Sequence, residues 1–211
     1  MRSAQTMQDT TESIDAPTLK KILKATRENP KEVYSPSDDS FLMLEAISSF
    51  PLKEKEVLDL GTGSGVLGLY AALQGAIVTI SDIDEVAVKC ATKAAQSLGV
   101  KCNKVVSDLF MKIAGKFDVI LFNPPYLPSQ STVDRTIDGG RDGVIVADRF
   151  LCGLDEHLKA DGVAFLLLSS LNNPAALLDG HREFTYSVVK KCPLFFEELQ
   201  VLELRFRDLG D

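Results

Sequence analysis

Short apolar runs alternate with helical patterns along most of this chain, and this alternation constrains the fold more than any other feature. The strand-like runs occupy residues 57–61, 76–84, 102–108, 117–123 and 162–170. Helical patterns separate most of them, which predicts a doubly wound, mostly parallel sheet. Two further runs within residues 186–206 have no helix between them, so they must pair antiparallel. We therefore expect an α/β fold with a mostly parallel, seven-stranded sheet that includes an antiparallel terminal strand.

The first 30 residues differ from the rest of the chain. Residues up to about 15 are polar and lack a hydrophobic period, which predicts disorder. Leu19, Ile22 and Leu23 then follow helical spacing, which predicts a short amphipathic helix over residues 16–26. We expect residues 1–30 to form a partly disordered extension that contains this helix, and residues 31–211 to form one α/β domain.

Composition and charge limit the function classes. The 211 residues carry a formal net charge of −7, and the pI is about 5.0. Such a molecule repels a polyanion as a whole, so a nucleic-acid partner is disfavoured without being excluded. No apolar stretch approaches the ~18 residues that indicate a membrane span, and the polar N-terminal stretch does not resemble a signal peptide. We expect a protein that makes no membrane contact and works in the cytoplasm, or also in the nucleus of a eukaryotic cell.

Metal-ligating residues are few and scattered. The four cysteines and two histidines lie far apart in the sequence and form no C-x-x-C pair. A structural zinc site normally needs closely spaced ligands, so no metal is expected from the sequence.

The first strand-like run ends in a glycine loop, GTGSG, at residues 61–65, and the run and loop together read DLGTGSG from residue 59. Gly61 and Gly63 let a ligand approach the main-chain N–H groups at the start of the following helix. The segment GSGVLG also matches the G-x-G-x-x-G pattern, so a dinucleotide-binding oxidoreductase stays open as an alternative. However, Asp59 stands two residues before the loop, where an anion is unfavourable for a pyrophosphate. It suits a cofactor with an ammonium group, such as S-adenosylmethionine.

Acidic residues follow the next two strand-like runs. Asp82 ends the second run, at a position where a carboxylate can accept hydrogen bonds from both ribose hydroxyls. Asp84 is equally acidic, and we interpret it as the N-cap of the helix that starts at residue 85. Asp108 ends the third run and could accept a hydrogen bond from an adenine amino group, with Leu109 in contact with the ring. Each acid alone could be a helix cap or a solvated loop residue, but three at one sheet edge favour a nucleoside site.

The fourth run ends in FNPPY, residues 122–126. The Asn123 side-chain oxygen and the Pro124 carbonyl can accept hydrogen bonds from a planar NH2 group, and the rings of Pro124 and Pro125 restrict the backbone. Tyr126 can stack on a flat amide or base. The nitrogen of such a group is a poor nucleophile because its lone pair is delocalised, so positioning matters more than a strong base. The alternative is a plain strand terminator.

DLGTGSG together with FNPPY resembles the class I S-adenosylmethionine-dependent methyltransferases that methylate nitrogen. More narrowly, the chain is similar to the HemK-like enzymes that methylate N5 of glutamine in the Gly-Gly-Gln loop of class 1 peptide-release factors. Three segments, VYSPSDDSFLML, DGGRDGVIVADRF and SLNNPAALL, resemble the compact archaeal and eukaryotic branch. The resemblance implies that residues 31–211 form the methyltransferase domain and that S-adenosylmethionine is the cofactor.

The loop and the resemblance together assign the site. The predicted cofactor-binding residues are Ser40, Asp59, Gly61, Gly63, Asp82, Asp108, Leu109 and Asn123. The predicted catalytic residues are Asn123, Pro124 and Tyr126, and the predicted substrate contacts are Asn123, Pro125 and Tyr126.

The resemblance also implies two partners. One is the release factor as substrate, and the other is a small zinc-binding activator subunit that adds to the sheet edge at the strand near residues 102–108. Val105, Val106 and Ile77 are the apolar residues that such a subunit would cover. An enzyme that methylates adenine N6 or guanine N2 in a nucleic acid is the alternative, and a catalytically idle scaffold subunit is a third reading.

Overall fold

Six α-helices and seven strands are present within residues 14–27, 29–126 and 144–207, which are the residues that the computed structural model describes. The helices are α1 (Ala16–Thr26), α2 (Asp38–Ser48), α3 (Val66–Leu73), α4 (Glu85–Leu98), α5 (Ile145–His157) and α6 (Pro174–Asp179). The strands are β1 (Glu56–Leu60), β2 (Ile77–Asp82), β3 (Cys102–Val106), β4 (Phe117–Phe122), β5 (Leu158–Ser169), β6 (Phe184–Pro193) and β7 (Glu198–Phe206).

The strands form one sheet in the order β3-β2-β1-β4-β5-β7-β6. The pairs from β3 to β5 are parallel, whereas β7 is antiparallel to both β5 and β6. The predicted fold class is therefore confirmed, including the antiparallel strand near the C-terminus. The chain reverses its direction of travel across the sheet between β1 and β4, and ligands of open α/β sheets bind at such a point.

Both faces of the sheet are covered by helices, which explains why β4 reads FDVILF with almost no polar interruption. Residues of α1 to α4 pack against one face, around Val57, Ile80 and Leu121. Residues of α5 and α6 pack against the other face, where Phe150 is fully buried beside Phe122 with ring centroids 4.7 Å apart.

Helix α1 is part of the core. Ile22 is 0% exposed and packs in the same cluster as residues of α3 and α4. Ile14, just before the helix, is also buried. The disorder predicted for residues up to about 15 falls almost entirely on residues 1–13, which lie outside the described residues, and the predicted boundary near residue 30 stays a prediction.

The structure extends some predicted elements. Helix α2 begins at Asp38, because Ser37 adopts an extended N-cap conformation and Asp38 and Asp39 occupy the favourable first turn. A 3₁₀ turn at Ser170–Asn172 and helix α6 follow β5, and neither was predicted. Among the helices of the described residues, none combines the length and apolar character that a membrane span needs.

Strand β3 is an edge strand, as predicted, but its apolar residues do not form one surface. Val105 packs partly against the cluster beneath α5. Side chains alternate along a strand, so Val106 points to the opposite face. Ile77 lies at the start of β2, whereas Val106 pairs with Asp82 at its end. These three residues therefore do not share one face at one end of the strand pair, and their coverage by a partner subunit stays a prediction.

Candidate active site

A cavity of about 670 Å³ opens at the C-terminal ends of β1, β2 and β4. Its size suits a nucleoside-containing cofactor. All but one of the predicted site residues line it, namely Ser40, Gly61, Gly63, Asp82, Asp108, Leu109, Asn123, Pro124, Pro125 and Tyr126. The exception is Asp59, which lies behind the glycine loop. Parallel strands thus bring together residues that are up to 86 positions apart in the sequence, from Ser40 to Tyr126.

The glycine loop is shaped by backbone conformations that other residues rarely adopt. Gly65 caps α3 with φ of +89°, and a Cβ there would lie 2.8 Å from Cβ of Ala91 in α4. Only glycine allows this close approach of the loop to α4. The loop therefore occupies a fixed position above β1.

Asp59 is the buried anchor of this loop. It is 1% exposed, and its Oδ2 accepts hydrogen bonds from Thr62 Oγ1 at 2.6 Å and from the Gly68 N–H, in the first turn of α3, at 2.9 Å. A Cβ on Gly68 would lie 2.8 Å from the same oxygen, so glycine is required there. Burial raises the pKa of Asp59 to about 6, although these two hydrogen bonds lower it. Asp59 does not line the cavity, and its predicted effect on a cofactor ammonium group stays a prediction.

Asp82 joins the end of β2 to the glycine loop. Its Oδ2 accepts from the Gly63 N–H at 2.9 Å, and its Oδ1 accepts from the Asp84 N–H at 2.9 Å. Burial raises its pKa, while these hydrogen bonds oppose the shift. A carboxylate has about four acceptor positions, so Asp82 keeps some acceptor capacity for the ribose hydroxyls that were predicted to bind there.

Asp84 has a different role. Its Oδ1 accepts from the Val86 N–H at 2.8 Å and caps α4, which confirms the interpretation of this residue as an N-cap. Asp84 also lines the cavity. Asp82 remains the predicted ribose ligand.

The third strand end carries an unpredicted ion pair. Asp108 Oδ2 lies 2.9 Å from Arg149 Nη2, which reaches across from α5. The next residue, Leu109, has φ of +45°, a conformation that a branched side chain seldom adopts and that often occurs at functional sites. The predicted adenine contacts of Asp108 and Leu109 stay predictions. Because Arg149 occupies Oδ2 of Asp108, an adenine amino group would donate to Oδ1.

Asn123 is oriented by a buried carboxylate that the sequence did not reveal. Its Nδ2 donates to Asp39 Oδ2 at 3.0 Å, and the Tyr34 hydroxyl donates to the same oxygen at 2.6 Å. Asp39 is 3% exposed. An ionised carboxylate only accepts hydrogen bonds, so the amide NH2 group must face Asp39. Asn123 Oδ1 is left buried and has no hydrogen-bond partner among the described residues.

Tyr126 is also held in place by a residue that was not predicted. Its backbone carbonyl accepts from Asn172 Nδ2 at 2.8 Å, and Asn172 Oδ1 accepts from the Ser169 N–H at 2.8 Å. Asn172 thus joins FNPPY to the end of β5. Burial, followed by the nearby Asp39, raises the pKa of Tyr126, so the phenol is neutral at physiological pH.

The cavity is strongly acidic. One arginine, Arg149, and no lysine or histidine is among the described residues that line it. Six acidic residues line it as well: Glu32, Asp39, Asp82, Asp84, Glu85 and Asp108. This field favours a cationic ligand and opposes the pyrophosphate of a dinucleotide. It therefore argues against the oxidoreductase alternative that the G-x-G-x-x-G pattern left open.

Residues 35–191 match the model of the methyltransferase small domain family. The chain belongs to this family. It is thus an S-adenosylmethionine-dependent methyltransferase, as the sequence motifs predicted. The acidic cavity and the glycine loop fit a cationic cofactor.

Relatives in this methyltransferase family include a putative protein N5-glutamine methyltransferase, MJ0928, of Methanocaldococcus jannaschii. It is 38% identical over 180 residues, which cover 81% of this chain and 90% of the relative. Among solved structures, the E. cuniculi Mtq2-Trm112 complex, responsible for the methylation of the eRF1 translation termination factor, is similar with a TM-score of 0.69. The identity is 27%, and the match covers 83% of this chain and 99% of that one.

An RNA-modifying methyltransferase is structurally similar too. The T. thermophilus 16S rRNA N2 G1207 methyltransferase, RsmC, in complex with AdoMet and guanosine has a TM-score of 0.67 and 25% identity. The match covers 82% of this chain but 44% of that chain.

Proposed function

We propose that this enzyme methylates the side-chain amide of the glutamine in the Gly-Gly-Gln loop of a class 1 peptide-release factor. The observation that supports this most is the buried Oδ1 of Asn123, an acceptor without a partner among the described residues. Leaving such an atom unpaired is costly, so a donor from the substrate is the natural occupant. A glutamine NH2 group is such a donor.

The chemistry follows from the two acceptors. Asn123 Oδ1 and the Pro124 carbonyl receive the two hydrogens of the amide, while Tyr126 covers its planar face. These contacts draw the nitrogen lone pair out of conjugation with the amide carbonyl and direct it toward the methyl group of the cofactor. Bound S-adenosylmethionine supplies the electrophilic methyl group. The amide nitrogen would gain the methyl group and release one proton to solvent, and the cofactor would leave as the neutral thioether.

The glutamine amide is favoured over a nucleobase amine. The relative from M. jannaschii is named for protein N5-glutamine methylation, and the E. cuniculi complex for methylation of eRF1. The structural similarity to RsmC keeps guanine N2 as the alternative substrate. The acceptor pair of Asn123 Oδ1 and the Pro124 carbonyl would suit the exocyclic amine of a nucleobase as well. However, a net charge of −7 and the acidic cavity oppose a polyanionic substrate. A substrate that acts in translation supports a cytoplasmic location for the enzyme.

Mass spectrometry with isotopically labelled cofactor tests the substrate directly. We expect the label on the Gly-Gly-Gln peptide of a release factor, on N5 of glutamine. The matched control is the same release factor with that glutamine replaced by glutamate, which has no NH2 group and should remain unlabelled. Structured RNA and DNA are incubated in parallel, and label on a guanine or adenine amine with none on the peptide would overturn the proposal.

We infer further that a small zinc-binding subunit pairs with β3. The two-component E. cuniculi complex supports a partner, and β3 is an edge strand with no neighbouring strand on its outer side among the described residues. Val106, 36% exposed, and Val86, 43% exposed, are apolar residues near the same end of the sheet. Such a strand accepts a partner by added backbone hydrogen bonds.

Substitution at the two sheet edges tests this interface. Val106→Lys is expected to weaken partner binding at least about tenfold, because it buries a charge against the partner. Val188→Lys is the matched control, since Val188 is 38% exposed on the opposite edge strand β6. Co-purification and calorimetry with the small subunit measure the effect. Equal affinity for the two variants would place the partner elsewhere.

A further inference from the structure

Three metal-ligating side chains meet outside the active site. Asp148 and Cys152 lie one turn apart on α5, and His181 lies in the turn before β6. One ligand atom from each residue lies within 4.8 Å of the other two. We propose that this Asp148–Cys152–His181 cluster binds a zinc ion.

His181 is arranged as a metal ligand would be. Its side chain is largely buried, and its Nε2 lies 2.9 Å from Asp148 Oδ1. On the other side of the ring, Nδ1 faces Glu183 Oε1 at 3.5 Å. Metal-bound histidines commonly direct their second nitrogen to a carboxylate, which fixes the ring and its tautomer.

The backbone around His181 is fixed as well. The His181 N–H donates to the Leu178 carbonyl at 3.0 Å, and the His181 carbonyl accepts from the Phe184 N–H at 3.2 Å. The Glu183 carbonyl accepts from the Arg207 N–H at 2.8 Å. Asp148 and Cys152 are positioned by the helix itself. All three ligands therefore come from regular or hydrogen-bonded backbone, which lowers the entropic cost of closing around an ion.

The donor set selects the metal. One thiolate sulfur, one imidazole nitrogen and one carboxylate oxygen suit zinc, which prefers tetrahedral coordination by such ligands. A thiolate and a carboxylate together balance the charge of Zn²⁺. Three protein ligands leave a fourth position for water. Calcium and magnesium prefer oxygen ligands alone, so this cluster does not suit them.

The ion would connect α5 to the turn between α6 and β6. Helix α5 supplies Val146 and Arg149 to the cavity wall, and Arg149 pairs with Asp108 at 2.9 Å. Zinc at Asp148 would thus stabilise the helical turn that carries these residues. The zinc site does not depend on which substrate the enzyme methylates.

Zinc content measured by elemental mass spectrometry tests the site on the full-length protein, alone or with its small subunit. Cys152→Ser and His181→Gln are each expected to hold one zinc fewer per catalytic chain than the wild type. Cys152 is exposed, so its substitution should not disturb folding. Cys90→Ser, on α4, is the matched control and should retain the full zinc content.

Two more measurements report on the same ligands. Cobalt in place of zinc is expected to produce a thiolate-to-metal absorption band that is absent in Cys152→Ser. Glu183→Gln is expected to weaken zinc affinity roughly 10–100-fold. If the zinc content of the wild type equals that of Cys152→Ser, or if the cobalt band persists in that variant, the cluster is an ordinary His–Asp hydrogen bond beside a thiol.

Discussion

Asp39→Asn is expected to reduce kcat at least about 100-fold, as strongly as Asn123→Ala, although Asp39 is a positioning residue. The other carboxylate oxygen, Oδ1, accepts from the Ser40 N–H, so an asparagine at 39 would keep its oxygen there and turn its NH2 group to the place where Oδ2 accepted from Asn123. The Asn123 amide would then rotate, turning its oxygen to residue 39 and its NH2 to the substrate. The acceptor for the substrate amide would be lost, and removal of one such preorganised group costs ~10²–10³ in kcat.

Steady-state kinetics and calorimetry distinguish this effect from damage to the fold. We expect kcat to fall while the Kd for S-adenosylhomocysteine changes less than about threefold and Tm stays close to that of the wild type. Asp38→Asn is the matched control, because it removes the same charge one residue away and should retain activity. Normal turnover in Asp39→Asn would show that the orientation of Asn123 does not depend on this carboxylate.

Asp59→Asn is expected to weaken S-adenosylmethionine binding at least about tenfold at pH 7.5. The asparagine oxygen can still accept from Thr62 and Gly68, so the glycine loop keeps its anchor while the negative charge beneath it disappears. In the wild type, affinity should fall as the pH is lowered through about 6, where Asp59 becomes protonated. In Asp59→Asn this part of the pH dependence should be absent.

Asp59→Asn is also expected to change how the stability of the cofactor-free protein depends on pH. For cofactor binding the negative charge of Asp59 is favourable, whereas for folding without the cofactor it is unfavourable. Burial places the pKa of Asp59 in the folded protein above the ordinary aspartate value of 3.8, so its favourable contribution is complete below pH 3.8 and is lost as the pH rises through about 6. The wild type should therefore lose about 3 kcal/mol relative to Asp59→Asn over this interval. Urea unfolding at a series of pH values measures the difference.

Glu156→Gln controls for net charge, because it removes one exposed carboxylate from α5 far along the helix from the cavity-lining residues. It should leave both the affinity and the pH profile unchanged. A stability difference between the wild type and Asp59→Asn that does not vary with pH would mean that Asp59 titrates normally.

Much of this fold and site could be predicted because the signals are local. Strands buried on both faces read as apolar runs, and in a parallel sheet the residues after them meet at one edge. Gly61, Asp82 and Asn123 each follow directly from such a run, so their meeting in one cavity needed only the sheet topology. The N-cap role of Asp84 is equally local, since the helix begins at the next residue.

The positions that escaped prediction depend on contacts between distant segments. Asp39 meets Asn123 across 84 residues, and no periodicity reveals that α2 delivers a carboxylate to the end of β4. The only signal was its place beside Ser40 in VYSPSDDSFLML. Asn172 is similar, because its bond to Tyr126 follows from a 3₁₀ turn that was not predicted. His181 meets Cys152 only in the folded chain, which is why spacing rules missed the cluster.

The carboxylate of Asp59 has a consequence for how ligand classes evolve on this architecture. The first turn of a helix after a glycine loop ordinarily attracts a phosphate. Here that turn already holds an anion of the protein's own, bonded to the Gly68 N–H, and the missing Cβ of Gly68 makes room for it. With the Asp59 carboxylate in this place, the start of the helix no longer favours a phosphate and can lie beside a cationic ligand. The same letters, G-x-G-x-x-G, then serve two unrelated ligands, and the residue that tells them apart lies outside the pattern.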